Sequence, residues 1–295
     1  MSEPKKDIIL ILGEGGMMGI FIAGVLSTIN EKLRERIHAV YGTSSGADVG
    51  VYFVSNQTHL PLRFFTEYLT KPDFIRKNFL RYLLKIFFFR NNPRVEIKDY
   101  INVGYVTEVA KNSNCKLDLD AFEKSDMQFF VKVIDIHSAT PTYISAKTNV
   151  FEKLKASSQC GPLSTEAIKV DGIEYIDGGT VPNELDIDLI KEYKDKLFIF
   201  IQSQKDNRLS KKLLYPLYLL VGHAITVLYG HRLGEKYIQE LFTDHTEKLA
   251  SYKNVIFIKN DMCYSSFCTD KKKLEKVYLC GVEKARATID ANFID

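Results

Sequence analysis

Val40-Tyr41-Gly42-Thr43-Ser44-Ser45-Gly46-Ala47 is the stretch on which the fold turns. Before it, Ile37 to Tyr41 reads as an apolar strand; after it, Ala47 to Ser55 reads as the start of a helix. Between them lies the G-x-S-x-G turn Gly42-Thr43-Ser44-Ser45-Gly46. That context predicts a sharp strand-to-helix elbow with the Ser44 hydroxyl presented at its tip. The flanking glycines, Gly42 and Gly46, are needed because a Cβ there would collide with neighbouring backbone. The following helix aims free N–H groups and the positive end of its dipole at any negative charge that develops on the turn. Ser44 is the candidate nucleophile. Ser45, expected to point along the helix, is the weaker candidate.

Toward the N terminus, Asp7 to Leu12 reads as a buried strand. It runs into Gly13-Glu14-Gly15-Gly16-Met17-Met18-Gly19 and then a helix from Gly19 to Glu35. A dinucleotide fingerprint counted from Gly13 would need glycine where Met18 stands, and it would need an acidic residue closing a second strand. The better reading is a nest in which the Gly15, Gly16 and Met17 N–H groups converge on one oxygen. Beside a serine nucleophile, such a nest is an oxyanion hole. Toward the C terminus, Ile173 to Ile176 reads as a short strand ending in Asp177-Gly178-Gly179. A carboxylate beside two residues without Cβ can approach another backbone and accept the serine proton. It can equally fold onto its own backbone as an Asx turn. Residue chemistry leaves both readings of Asp177 open.

The remaining chain alternates strand-like and helix-like runs, which predicts an α/β fold with a largely parallel sheet. Met127 to Ile136 and Thr142 to Ala146 read as paired strands, Leu197 to Gln202 and Val255 to Ile258 as buried strands. Arg208 to Ala250 and Lys271 to Ile289 read as helical. Residues 60–125 are helical and basic at first, then irregular. No linker or repeat interrupts the 295 residues, so one domain over 1–295 is expected. With 45% apolar and 26% charged residues, the composition excludes a disordered chain, a collagen-like repeat and a disulfide miniprotein. A formal charge of +3 gives no electrostatic case for nucleic acid. Five cysteines without a framework read as reduced thiols. The polar start shows no Sec-type export signal, so a cytoplasmic protein is expected. Leu213 to Gly230 lacks formal charge but holds Pro216, Gly222 and His223, and it reads as a half-buried helix rather than a span.

A serine nucleophile needs a base. The chain order Ser44, Asp177, His223 would suit a histidine-using α/β-hydrolase esterase, with His231 and His245 as other options. Only one strand precedes the elbow strand, however, and none of the six histidines sits in a strand-end loop.

Taken together, these pieces resemble the patatin-like phospholipase family. The resemblance rests on Ile9 through Gly16 continuing into Gly19 through Leu26, on Val40 through Ala47, and on Asp177-Gly178-Gly179. A softer match is Ala156-Ser157-Ser158 through Pro162. The resemblance covers about residues 6–205 and implies a three-layer α/β/α sandwich with a mostly parallel central sheet. It implies a Ser–Asp dyad without histidine, Ser44 as nucleophile and Asp177 as base. Gly15, Gly16 and Met17 would be the oxyanion donors. The implied chemistry is hydrolysis of lipid acyl esters through an acyl-enzyme, with no cofactor and no metal. Two positions depart from the family loop. Met18 stands where it usually carries Arg or Lys, and Glu14 stands where it has a further glycine. Turnover that is low, or that waits on an activating protein partner, is the expectation these departures add. The competing reading is a catalytically inactive lipid-binding protein on the same fold.

A protein that acts on membrane lipid or lipid aggregates must meet their surface. Phe74 to Arg90 has five basic residues, six aromatics and no acid, with Lys77, Arg81 and Lys85 at helical spacing. It reads either as a membrane-surface helix or as a helix packed on its own core with a solvated basic face. Lys205, Arg208, Lys211 and Lys212 form a second basic cluster.

Overall fold

The structure is a computed structural model that describes residues 5–76, 78–90, 92, 95–181, 184–203, 214–240, 243 and 246–293. The strands are β1 (Ile8–Leu12), β2 (Ile37–Gly42), β3 (Gln128–Asp135), β4 (Thr140–Ser145), β5 (Ile168–Val170), β6 (Ile173–Asp177), β7 (Leu197–Gln202) and β8 (Val255–Lys259). They form one eight-stranded sheet in the order β5-β6-β3-β2-β1-β7-β8, with β4 also paired to β3. The β2, β1, β7 and β8 strands are linked by parallel pairings, and β2 is parallel to β3. β4, β5 and β6 join by antiparallel pairing.

Alternation along β1 explains the layers. Ile8, Leu10 and Leu12 enter the largest core cluster, under α1 (Gly19–Lys32), α2 (Ser45–Val54) and a C-terminal helix, Lys271–Phe293. Ile9 and Ile11 point the other way, into a core with Phe198, Phe200, Ile187 and Ile190. Helices therefore cover both faces, as the α/β/α expectation requires. In chain order the others are α3 (Leu60–Arg63), α4 (Phe79–Phe89), α5 (Val103–Asn112), α6 (Leu119–Lys124), α7 (Val150–Ser158), α8 (Leu185–Glu192), α9 (Tyr215–Tyr229), α10 (His231–Glu240) and α11 (Thr246–Ala250), which makes Lys271–Phe293 α12.

Several boundaries differ from expectation; α1 stops at Lys32 rather than Glu35, and the C-terminal helix runs on to Phe293. α2 begins at Ser45, directly behind the nucleophile candidate, rather than at Ala47. β4 begins at Thr140 and includes Pro141, which the strand accepts because β4 pairs only with β3. The Arg208–Ala250 helical reading is divided among α9, α10 and α11, with Gly230 at φ 100° between the first two. No helix among the described residues is long and apolar enough to cross a membrane. All five cysteines are free.

α12 packs on α1 at two glycines. A Cβ on Gly24 would lie 2.1 Å from the Tyr278 carbonyl oxygen, and one on Gly281 2.3 Å from that of Phe21. A larger side chain must push the helices apart. Gly281→Val is expected to cost about 2–3 kcal/mol in urea unfolding.

Candidate active site

The sheet itself brings the two key residues together. β4 occupies one edge of β3 from Phe130 to Asp135. β2 and β6 therefore share the other edge, β2 along Gln128 to Val131 and β6 along Val133 to Asp135. β2 runs parallel to β3 and β6 antiparallel, so their C-terminal ends meet head to head. Gly42 sits opposite Val131, and Asp177 opposite Val133. Ser44 follows Gly42 by two residues, so its hydroxyl stands beside the Asp177 carboxylate, close enough to hold its pKa down.

The elbow is strained. Ser44 has φ 53° and ψ −126°, a region that favours glycine. Gly42 and Gly46 permit it by close approach. A Cβ on Gly42 would lie 2.6 Å from the Ala47 Cα, and one on Gly46 2.5 Å from the Leu12 carbonyl oxygen. The Thr43 N–H donates to the Leu12 carbonyl at 2.9 Å, which fastens the elbow to the end of β1.

Ser157 at the end of α7 supports the turn from below. Its Oγ accepts the Ser44 N–H at 3.1 Å and donates to the Lys132 carbonyl at 2.8 Å. The same carbonyl accepts the Gly178 N–H at 3.3 Å. One β3 carbonyl thus ties both the elbow and the carboxylate loop. Sequence reasoning gave Ser157 no role beyond the soft motif match, because a bridge between separate strands leaves no local pattern. Ser157→Ala leaves the Ser44 N–H without its partner, while the Lys132 carbonyl keeps the Gly178 N–H. It is expected to destabilise by about 1–3 kcal/mol in thermal unfolding, and to lower turnover about 10–100-fold if Ser44 is the nucleophile.

Asp177 is buried. One carboxylate oxygen accepts the Gly179 N–H at 2.7 Å, so the Asx-turn reading and the contact to Ser44 hold together. Burial pushes the Asp177 carboxyl up to about 7 against the lowering effect of the Gly179 N–H and the Ser44 hydroxyl, with Glu14 and Asp48 adding in the same direction. Asp48 lies one turn along α2 from Ser44 and accepts the Ser158 hydroxyl at 3.1 Å. Its own carboxyl is also raised to about 7 by burial.

The glycine loop lies against this centre. Gly13 and Leu12 carbonyls abut Gly46, and the Glu14 side chain lies against Gly179. Glu14 thus stands near enough to Asp177 to raise its pKa. The Gly15 and Gly16 N–H groups have no intramolecular partner among the described residues. Met17 corrects the expectation: its N–H donates to the Ser266 carbonyl at 2.9 Å and is not free to receive an oxyanion. Ser266 reaches the loop from a turn after β8, too far along the chain for local reading. Met18 fills the core.

No histidine joins the pair among the described residues. His223 stacks on Phe87 at 5.4 Å, and exposed His231 faces Glu235 at 3.6 Å. His245 lies outside the described residues, as do Lys77, Lys205, Arg208, Lys211 and Lys212. No group of three His, Cys, Asp or Glu among the described residues could hold a metal ion. A serine held in a strained turn against a carboxylate pushed toward neutral pKa, with two loop N–H groups unpartnered among the described residues, can carry out acyl transfer.

Residues 10–188 match the family model described as patatin-like phospholipase. An uncharacterized protein of Escherichia coli (strain K12), YjjU, is 28% identical over 176 residues, 58% of this chain and 45% of its own length. The chain thus spans less than half of that relative. VipD from Legionella pneumophila aligns with a TM-score of 0.44 and 12% identity over 98% of this chain and 67% of that one. The type III effector ExoU aligns with a TM-score of 0.38 and 10% identity over 99% and 54%.

Proposed function

The chain belongs to the patatin-like phospholipase family, and from that premise we propose that it hydrolyses acyl esters of membrane or aggregated lipid, as a phospholipase A or lysophospholipase, through a Ser44 acyl-enzyme. The observation that carries this reading is the strained Ser44 standing beside the buried Asp177 carboxylate where the C-terminal ends of β2 and β6 meet. Asp177 accepts the hydroxyl proton as Ser44 Oγ attacks the ester carbonyl carbon. The Gly15 and Gly16 N–H groups receive the oxyanion, aided by the N-terminal end of α2. Collapse expels the lipid alcohol, which takes the proton from Asp177. Water then attacks the acyl-enzyme with Asp177 again as base, releasing fatty acid and restoring Ser44. The scheme calls on no metal and no cofactor.

A second reading has its own observation. With Met17 committed to Ser266 and Met18 in the core, the loop offers two donors where three were expected. Losing one such donor costs about 10²–10³ in turnover. A lipid-binding protein with little turnover, or an enzyme that waits on an activating protein partner, fits that deficit. Labelling with a fluorophosphonate, read by intact mass, separates these readings. The hydrolase gives one adduct on the wild type and none on Ser44→Ala. An adduct seen only with anionic vesicles or cell extract indicates activation. A folded protein that never labels is the binding protein.

A further inference from the structure

We propose that α4 and the first half of α9 form one docking face for a bilayer carrying anionic lipid. The inference goes beyond the hydrolytic reading and does not depend on it. α4 is apolar on two sides. Phe79, Tyr82, Leu83 and Ile86 pack inward with α9 and α10. Leu80, Leu84 and Phe88, spaced i, i+4, i+8, form an outward stripe exposed by 61%, 46% and 73%. Leu214 and the first half of α9 beside it add Tyr215, Leu217, Leu219 and Leu220, all exposed. The two helices are locked together, Phe87 stacking on His223 and Arg90 Nη2 donating to the Leu228 carbonyl at 2.9 Å. Single exposed leucines need no explanation, but a run across two packed helices does.

The charges select the occupant. Arg81 and Lys85 lie on the strip of α4 beside the outward stripe. The sequence carries only basic charge between Asp73 and Glu96 and none from Tyr215 to Tyr229. Aliphatic and aromatic side chains flanked by cations, with no acid among them, match acyl chains beneath a layer of phosphate headgroups. The face is also tied to the candidate active site. The Tyr82 hydroxyl donates to the Pro162 carbonyl and the Tyr229 hydroxyl to that of Ser164, both at 2.6 Å. These carbonyls belong to the loop that follows Gln159, whose own carbonyl accepts the Asp177 N–H. The docking helices thus hold the segment on which the carboxylate is hung.

The test uses the full chain as Ser44→Ala, so that no turnover is needed, floated with phosphatidylcholine vesicles with and without phosphatidylglycerol. Partition is expected to rise with phosphatidylglycerol and to fall with salt. Leu84→Ser/Phe88→Ser and Arg81→Glu/Lys85→Glu should each weaken it by about tenfold or more. Melting curves check that the variants fold; should the α4 apolar pair melt early, Leu217→Ser/Leu220→Ser makes the same test from α9. The proposal is overturned if anionic vesicles do not bind, or if folded variants bind as the parent does. It is equally overturned if light scattering shows a dimer that the apolar substitutions split, since a second copy would then cover the face.

Discussion

Ser44→Ala is expected to lower fatty-acid release from phospholipid vesicles by about 10⁴-fold or more, with the fold intact. Neither Ser45 nor Ser157 can replace it: Ser45 is buried beside Gly19, and Ser157 is spent on the Ser44 N–H and the Lys132 carbonyl. Alanine removes the nucleophile but keeps the backbone strain, because any side chain with a Cβ is disfavoured at φ 53°. Ser44→Gly separates the two effects. It should abolish turnover equally while raising stability by about 1 kcal/mol, read from urea unfolding, as the strained backbone relaxes. Turnover within about tenfold of wild type in either variant would remove Ser44 from the mechanism. A drop in turnover accompanied by a large loss of melting temperature would point to a structural role.

The elbow was legible because each of its parts is local. β1, β2 and β7 are short apolar runs ended by glycine or polar residues, and the turns behind β1 and β2 carry their own glycine requirements. The meeting of Ser44 with Asp177 was not legible from spacing. It depends on β6 taking the second half of the β3 edge whose first half β2 occupies, a register decision between strands far apart in sequence. The same holds for the Lys132 carbonyl that gathers Ser157 and Gly178, and for Ser266, which takes the Met17 N–H. For α4 the sequence left two readings open, because the inner face is full of Phe79, Leu83 and Ile86 and yet Leu80, Leu84 and Phe88 stand outside beside the basic residues. Apolar residues on both sides blur helical periodicity, and the hydrophobic pattern alone cannot say which side meets protein.

Asp177→Asn should abolish turnover and, above neutral pH, stabilise the protein. The carboxyl is raised to about 7, mainly by burial. Only the ionised form can accept the Ser44 proton, so wild-type turnover should rise through pH 7 and level off above it. Glu14→Gln and Asp48→Asn each remove a neighbouring negative charge that raises the Asp177 pKa, so each should move this acid limb to lower pH. Stability runs the opposite way. A carboxyl whose folded pKa lies above its unfolded value favours the folded state below about pH 4, and that contribution is lost as pH rises through about 7. Asparagine never ionises. The variant should therefore melt with the wild type near pH 4 and above it at pH 8, by on the order of 5 °C. Its amide oxygen can still accept the Gly179 N–H, which preserves the loop. A pH-independent change in melting temperature would mean that Asp177 carries no buried charge at pH 8. Turnover that survived the substitution would show that Ser44 finds its base elsewhere. Loss of turnover with the Gly179 contact kept marks a catalytic carboxylate, whereas turnover retained beside the same pH-dependent stabilisation marks one that only shapes the turn.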